Sequence, residues 1–430
     1  MIRIVLLVCF YLFFPIVIIW LCRKWTLLQK IGTIGVAYLV GIAIGSIGIF
    51  PEGSRQYNLA LAGRPVLPDA ELTTLIDNGK IGAEDVLVNQ IATVHDMIPA
   101  AAVIIAFPLL LFSLNIRGWM SSASKGFLSL ILGLIAGVVM VTVGFFIWKD
   151  SFPESWKLAA MFEAMYTGGT PNFVALQVAL KVDPTLFIIA TTYDIVVGAA
   201  LVLFFITIAP PIFRLILPAN IEKDTAPAPS NPDGSSMETS DPDDFSGMLR
   251  KGKRLPLVKA LLLAVIIAAA SGGIGILMKS LIPAINFNAV VILSVTLLGI
   301  GASMIKKING IEKSFQLGMY LILVFALTVA SMANLEKIAN IEMTRLIVFI
   351  TWCYFGSLVL HLILAKIFRI DSDNFLITST ALIFSPPFVP LVAKSLKNKD
   401  VMITGITGGI IGLMLGNIIG IALSVFLKQF

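Results

Sequence analysis

Charge is what this sequence has least of. Of its 430 residues only 13% are Asp, Glu, Lys or Arg, against 58% that are apolar, and the mean hydropathy is +0.96. A water-soluble domain has nowhere to put that much apolar surface, so a soluble globular fold is excluded. Histidine is almost missing: His95 and His361 stand alone and far apart, which leaves no pair with metal-ligand spacing. Cys9, Cys22 and Cys353 all fall inside apolar runs, which excludes a disulfide framework. The first apolar run, Ile4 to Cys22, is too long for the core of a signal peptide and has no A-x-A site after it, so it reads as a retained membrane helix. The formal net charge of +6 comes from short basic clusters between apolar runs. Such clusters set membrane orientation and do not speak for a nucleic-acid partner.

What the chain has in abundance is apolar length. Windows of about 20 residues nearly free of charge recur throughout, each long enough to cross roughly 30 Å of hydrocarbon. We read crossing helices at 4–22, 31–50, 98–115, 127–148 and 184–213, and again at 257–280, 288–305, 314–333, 343–367 and 400–427. Two further segments, 156–181 and 372–396, are shorter and broken. Residues 221–256, with their Pro-, Ser- and Asp-rich stretch Glu222 to Gly247, read as a disordered linker. The polar region 51–97 reads as an extramembrane cap or surface helix, partly helical toward Met97.

Basic residues orient these spans. Arg23, Lys24 and Lys30 mark one cytoplasmic loop, Arg117 and Lys125 a second, Arg214 and Arg250 to Arg254 the linker, and Lys306, Lys307 and Lys313 a further loop. Three crossings between the Arg117 loop and the Arg214 linker would put both on opposite sides. One of the three segments must therefore enter and return on one face, and the broken 156–181 is the candidate. The same count makes 372–396 a hairpin entering from the cytoplasm. Both termini then come out external and the linker cytoplasmic, in a multi-pass protein of the bacterial inner membrane.

An offset of 215 residues superposes Thr170–Leu176, TPNFVAL, on Ser385–Leu391, SPPFVPL. It also lays 98–115, 127–148 and 184–213 over later spans, each pair running in opposite directions by the charge reading. The expected fold is therefore an all-α polytopic membrane protein. It comprises two inverted repeats of five transmembrane helices, 1–220 and 257–430, each with a broken re-entrant hairpin, the pattern of a secondary transporter.

The run Gly168-Gly169-Thr170-Pro171-Asn172-Phe173-Val174-Ala175, together with the downstream Asp194, resembles the YjcL-like family of membrane proteins of unknown function. That family is similar in architecture to the sodium/glutamate symporters and to the cation:proton antiporter and anion transporter group. The second hairpin departs from the family pattern, with Ser385-Pro386-Pro387 where a glycine pair is usual. The resemblance implies ion-coupled transport by a core domain moving against a scaffold. It implies no substrate.

Asp194 is the sharpest single signal, because a carboxylate at mid-bilayer costs about 2.5–3.5 kcal/mol on insertion scales and so faces a bundle interior or a water path. Thr191, one turn earlier, shares its face. Gly168, Gly169 and Pro171 free backbone groups at the first break, where helix starts attract anions and unwound carbonyls ligate small cations. The expected solute- and ion-binding set is Asp194, Thr167, Gly168, Gly169, Thr170, Asn172 and Thr191, with Ser385, Pro386 and Pro387 from the second break. Asp194, Asn172 and Thr170 supply hard oxygens for a sodium ion, the only cofactor expected. A proton carried by Asp194 is the alternative. Glu163 and Lys394 read as interfacial side chains snorkelling to water, His361 as a packing histidine, and the row Gly408, Gly412, Gly416, Gly420 (beside Thr407 and Asn417) as a close-packing face, as do Gly41 and Gly45.

No enzyme class fits. An aspartyl protease needs a second facing acid, and no serine–histidine pair suggests a hydrolase. The expected activity is sodium-coupled secondary transport of a small organic solute, elevator-like, with the site between the two hairpin tips. The alternative is a solute-binding sensor, or a channel. The expected partners are the lipid bilayer, the solute and a second copy in a homodimer.

Overall fold

The computed structural model describes residues 2–61, 66–112, 125–218, 244–248, 250, 253–283, 285–332, 344–384, 388–396 and 401–430. Among these every regular element is helical. In chain order they are α1 Ile2–Lys24, α2 Thr26–Ile31, α3 Thr33–Ser46, α4 Arg55–Leu61, α5 Asp69–Asp77, α6 Glu84–Phe112, α7 Lys125–Trp148, α8 Ser155–Gly168, α9 Thr170–Leu180, α10 Pro184–Thr207, α11 Ala209–Ile216, α12 Arg254–Leu281, α13 Phe287–Ser303, α14 Lys306–Asn309, α15 Ser314–Ser331, α16 Thr344–Thr351, a π-helical turn Trp352–Gly356, α17 Ser357–Ile367, α18 Ser372–Phe384, α19 Val389–Leu396 and α20 Val401–Leu427. Eight of the described helices are long and apolar enough to cross a membrane, and α3 and α13 are shorter apolar helices. The protein is an all-α polytopic membrane protein.

Several elements differ from the sequence reading for identifiable reasons. The span expected from 98 starts at Glu84, because the polar residues Asp85, Asn89 and His95 are buried rather than solvated. The span 31–50 is broken at Gly32, whose φ of 81° suits glycine, and its helix α3 runs only from Thr33 to Ser46. The span 184–213 divides at Ile208, ahead of the Pro210-Pro211 pair that cannot continue the hydrogen-bond ladder. Thr344–Ile367 is one span by length, yet it carries a π turn in its middle. Of the expected linker 221–256, residues 221–243, 249, 251 and 252 lie outside the described residues. Asp244–Met248 form a turn whose Asp244 meets Lys313 at 3.0 Å, and α12 already begins at Arg254.

By contact density the chain divides into two units. One comprises Met1–Ala106, Asp183–Ile188 and Leu317–Ile341. Its apolar helices pack through small residues: a Cβ added to Gly41 would lie 2.5 Å from Ala330 Cβ, and one added to Gly45 2.4 Å from the Ser331 carbonyl oxygen. Inside it the Tyr11 hydroxyl meets His95 Nε2 at 2.9 Å and Ser331 Oγ at 2.6 Å. The polar region 51–97 has a small core of its own, Tyr57, Leu67, Leu72 and Ile81. Asn89 pins it by accepting from the Tyr57 hydroxyl and from the Leu67 amide, and Asp85 accepts from the amides of Ser54 and Gly82.

The second unit comprises Phe107–Val182, Ile189–Gln316 and Glu342–Phe430. It holds both broken segments and the two long helices that run beside them, α7 and α20.

Candidate functional site

The first broken segment is a hairpin. Helix α8 ends at Gly168, Gly169 alone is non-helical, and α9 starts at Thr170 with Pro171 in its first turn, where the missing N–H costs nothing. Gly169 takes φ 77° and ψ −165°, a region that is essentially glycine-only. The chain reverses there: the rings of Phe162 and Phe173 lie 5.2 Å apart, a separation that a continuous helix would make about 16 Å. At the open end Lys157, paired with Glu154, donates to the Lys181 carbonyl at 3.2 Å and ties the two arms together. The last carbonyls of α9 are taken up by side chains, Ala179 by Asn286 at 3.1 Å and Val178 by Asn288 at 3.3 Å.

The second broken segment has arms α18 and α19. Ser385, Pro386 and Pro387, its expected ligands, lie outside the described residues, as does the side chain of Lys394. Its open end is also tied by a cation: Arg214 donates to Asp373 on α18 at 3.4 Å and to the carbonyl of Leu396, the last residue of α19, at 2.9 Å.

The glycine row of α20 records how both segments lie. Built Cβ atoms would come within 2.6 Å of Ile377 at Gly405, 1.8 Å of the Thr167 carbonyl oxygen at Gly412, 2.0 Å of Asn172 at Gly416, and 2.9 Å of Ala164 at Gly420, with Ala381 next to Gly408. Travelling along α20, one therefore climbs α18 from its base toward its break, reaches the Gly168 tip at mid-helix, and descends α8 toward its base. Helix α7 tells the same story. Gly126 lies by Asn374, Ser129 bonds Thr378 at 2.7 Å, Gly133 abuts Leu382, and Gly137 at mid-helix abuts Tyr166 and Glu163. The arms approach the middle of two membrane-length helices from opposite ends.

Of the expected site residues, Thr167, Gly168, Gly169, Thr170 and Asn172 are gathered at this tip, all buried except the half-buried Thr170. Asn172 donates to the Gly412 carbonyl at 3.3 Å, while its Oδ1 is a buried acceptor without a partner. That orphaned oxygen fits a cation. Asp194 sits near the middle of α10, buried, while its neighbours Ile195 and Val196 are exposed on the other face. Its carboxylate accepts from the Tyr354 hydroxyl. Tyr354 lies in the π turn, a geometry common at functional sites. Thr191 is buried on the same face of α10.

Three further buried polar side chains lie in this unit that the sequence reading did not place among the candidate site residues. Glu163, expected at the interface, has no exposed surface at all, because α7 and α20 enclose the arm that carries it. Tyr354 is 160 residues from its partner, beyond any local signal. Asn417 donates to Thr296 on α13 at 3.1 Å, and its Oδ1 is also unpartnered. His361 is the packing histidine expected, with Ser379 at 2.9 Å and Ser129 at 3.2 Å.

Two broken segments tied at their open ends and a buried acid, set beside membrane-length helices, define the class: a polytopic helical membrane protein. The family follows from comparison. Residues 79–430 match the family described as "Protein of unknown function (DUF819)", and the chain belongs to it. It is also similar to the "Uncharacterized membrane protein YjcL" of Bacillus subtilis (strain 168), at 25% identity over 334 residues, covering 76% of this chain and 82% of that protein.

Proposed function

We propose that this protein is an ion-coupled secondary transporter of a small organic solute, built as two inverted five-helix repeats. The observation that carries the reading is the approach of two broken segments from opposite ends to the middle of α7 and α20. Non-helical backbone at that depth is tolerated only where it is enclosed by protein or lines a watered cavity, and carriers use it to hold solute and ions. The Thr167–Asn172 tip supplies the solute and ion contacts. Asp194, Thr170 and Asn172 hold the coupling ion, for which sodium is preferred because the donors are hard oxygens with one carboxylate. Alternating access is elevator-like, with the hairpins moving together. The protein works as a homodimer in the inner membrane, with both termini external and the 221–256 linker cytoplasmic, and it has no enzymatic activity.

The deciding experiment uses the full chain in proteoliposomes on supported membranes. Small organic anions, amino acids and sugar derivatives are screened for charge movement, with and without a sodium gradient. Saturable, sodium-dependent charge movement that vanishes in Asp194→Asn, with normal insertion of the variant, supports the reading. Solute binding without charge movement makes the protein a sensor, and unitary currents make it a channel. Either result overturns the carrier.

A further inference from the structure

Asn417 lies on α20 beside Gly416 and has no exposed surface. Its Nδ2 donates to Thr296 Oγ1 on α13 at 3.1 Å. The Thr296 hydroxyl gives its own hydrogen to the Ile292 carbonyl at 2.8 Å, so toward Asn417 it accepts. That arrangement turns the Asn417 amide one way, with its N–H toward Thr296 and its oxygen elsewhere, and the oxygen has no partner. Asn172 is equally enclosed and follows the same logic. Its Nδ2 donates to the Gly412 carbonyl at 3.3 Å, which can only accept, and Oδ1 is again the atom left over.

Three helices bring these residues to one level. At the open end of the hairpin, Asn286 and Asn288 of α13 bond the Ala179 and Val178 carbonyls of α9. From Asn288 to Thr296 is eight residues, about 12 Å along α13, and from Val178 back to Asn172 is six, about 9 Å along α9. The glycines of α20 give a matching register, with Gly420 against Leu176 and Gly416 against the Asn172 amide. Thr167 adds a carbonyl beside Gly412, and its helical donor four residues on would be Pro171, which has no N–H.

Interhelical packing explains half of this. Asparagines that bond across helices are the polar glue of membrane bundles, and that role uses the two N–H groups. It leaves two buried acceptors with nothing to accept from, and each calls for a ligand. Neutral carbonyl-type oxygens are the donors that replace the water shell of a monovalent cation. A divalent ion draws on carboxylates, and neither amide has one as its partner.

We propose that Asn172 and Asn417 ligate a second small monovalent cation, sodium, at the tip of the first hairpin. Gly412 and Thr296 hold the two amides in the orientation that leaves their oxygens for the ion, and the Thr167 carbonyl stands beside it. The site deepens the carrier reading of this tip, on which only its part in coupling rests. Binding itself requires neither a solute nor Asp194.

The purified full chain is titrated with sodium at constant ionic strength, choline being the balancing cation, while amide exchange is followed at 412–418. Saturable slowing of exchange that survives Asp194→Asn, and that needs about tenfold more sodium or is lost in Asn417→Ala, is the expected result. Exchange that sodium leaves unmoved in the unsubstituted protein, as when a water molecule serves the two oxygens, overturns the proposal. So does slowing that Asn417→Ala leaves unchanged, or that Asp194→Asn abolishes, since the ion then belongs with the carboxylate. Should Asn417→Ala fail to insert, Thr296→Val gives the second reading. Without that hydroxyl the Asn417 amide loses its anchor and sodium affinity falls, and an unaltered affinity overturns the site. A transport assay that fails while sodium still slows exchange at 412–418 sinks the carrier alone.

Discussion

Gly412 lies so close to the Thr167 carbonyl that a methyl group on it would fall 1.8 Å from that oxygen. The obstacle is backbone, which cannot rotate aside as a flexible side chain would. Gly412→Ala should therefore cost about 3 kcal/mol or more, the upper range of overpacking, and push the hairpin tip off α20. Thermal unfolding of the purified variant in detergent checks the cost. A melting temperature equal to that of the unsubstituted protein would refute the contact.

Gly169 makes a different demand. Its φ of 77° and ψ of −165° belong to a region that a side chain strains by about 1–3 kcal/mol. Gly169→Ala should weaken the tip locally, and proteolysis or hydrogen exchange around 165–173 should rise while α1 and α12 are unaffected. Uniform behaviour across the chain would show that the turn does not depend on this residue.

Tyr354 gives Asp194 its hydroxyl donor. Removing the donor alone leaves a buried acceptor unpaired, at about 1–3 kcal/mol. On the proposed mechanism, Tyr354→Phe should weaken the apparent affinity for the coupling ion about tenfold or more without preventing insertion. A sodium dependence identical to the parent protein would separate Tyr354 from ion binding.

Much of this was legible from the chain. The eight membrane-length helices and the two shorter apolar ones are the ten spans that uncharged length marks out, because lipid leaves helix as the open solution. The first break was legible because Gly168, Gly169 and Pro171 have few other uses in an apolar run. Glu163 was not, since an acid near a helix end looks the same from sequence whether it meets water or, as here, two enclosing helices. The early start of α6 was hidden for a related reason: Asp85, Asn89 and His95 read as solvated, yet their partners Ser54, Tyr57 and Tyr11 bury them.

The Asp244 turn offers a test outside the membrane. Hydrogen bonds from Ser246, and then Lys313, hold the Asp244 carboxyl down at about 2. A depressed value means the tie is fully present above the ordinary carboxylate range and is lost only as pH falls through about 2. Amide exchange at 244–248 should thus stay slow even near about pH 4, and Asp244→Asn should make it fast at neutral pH. Fast exchange in the unsubstituted protein at mild acidity would contradict the assignment.

Helix α20 is a rail that both hairpins ride: α18 touches it at Gly405 and Gly408, the α8–α9 tip at Gly412 and Gly416. Each hairpin is fastened at its open end, by Lys157 or by Arg214. Both hairpins thus lean on the same row of glycines, so a side chain added anywhere along that row presses on one or the other of them.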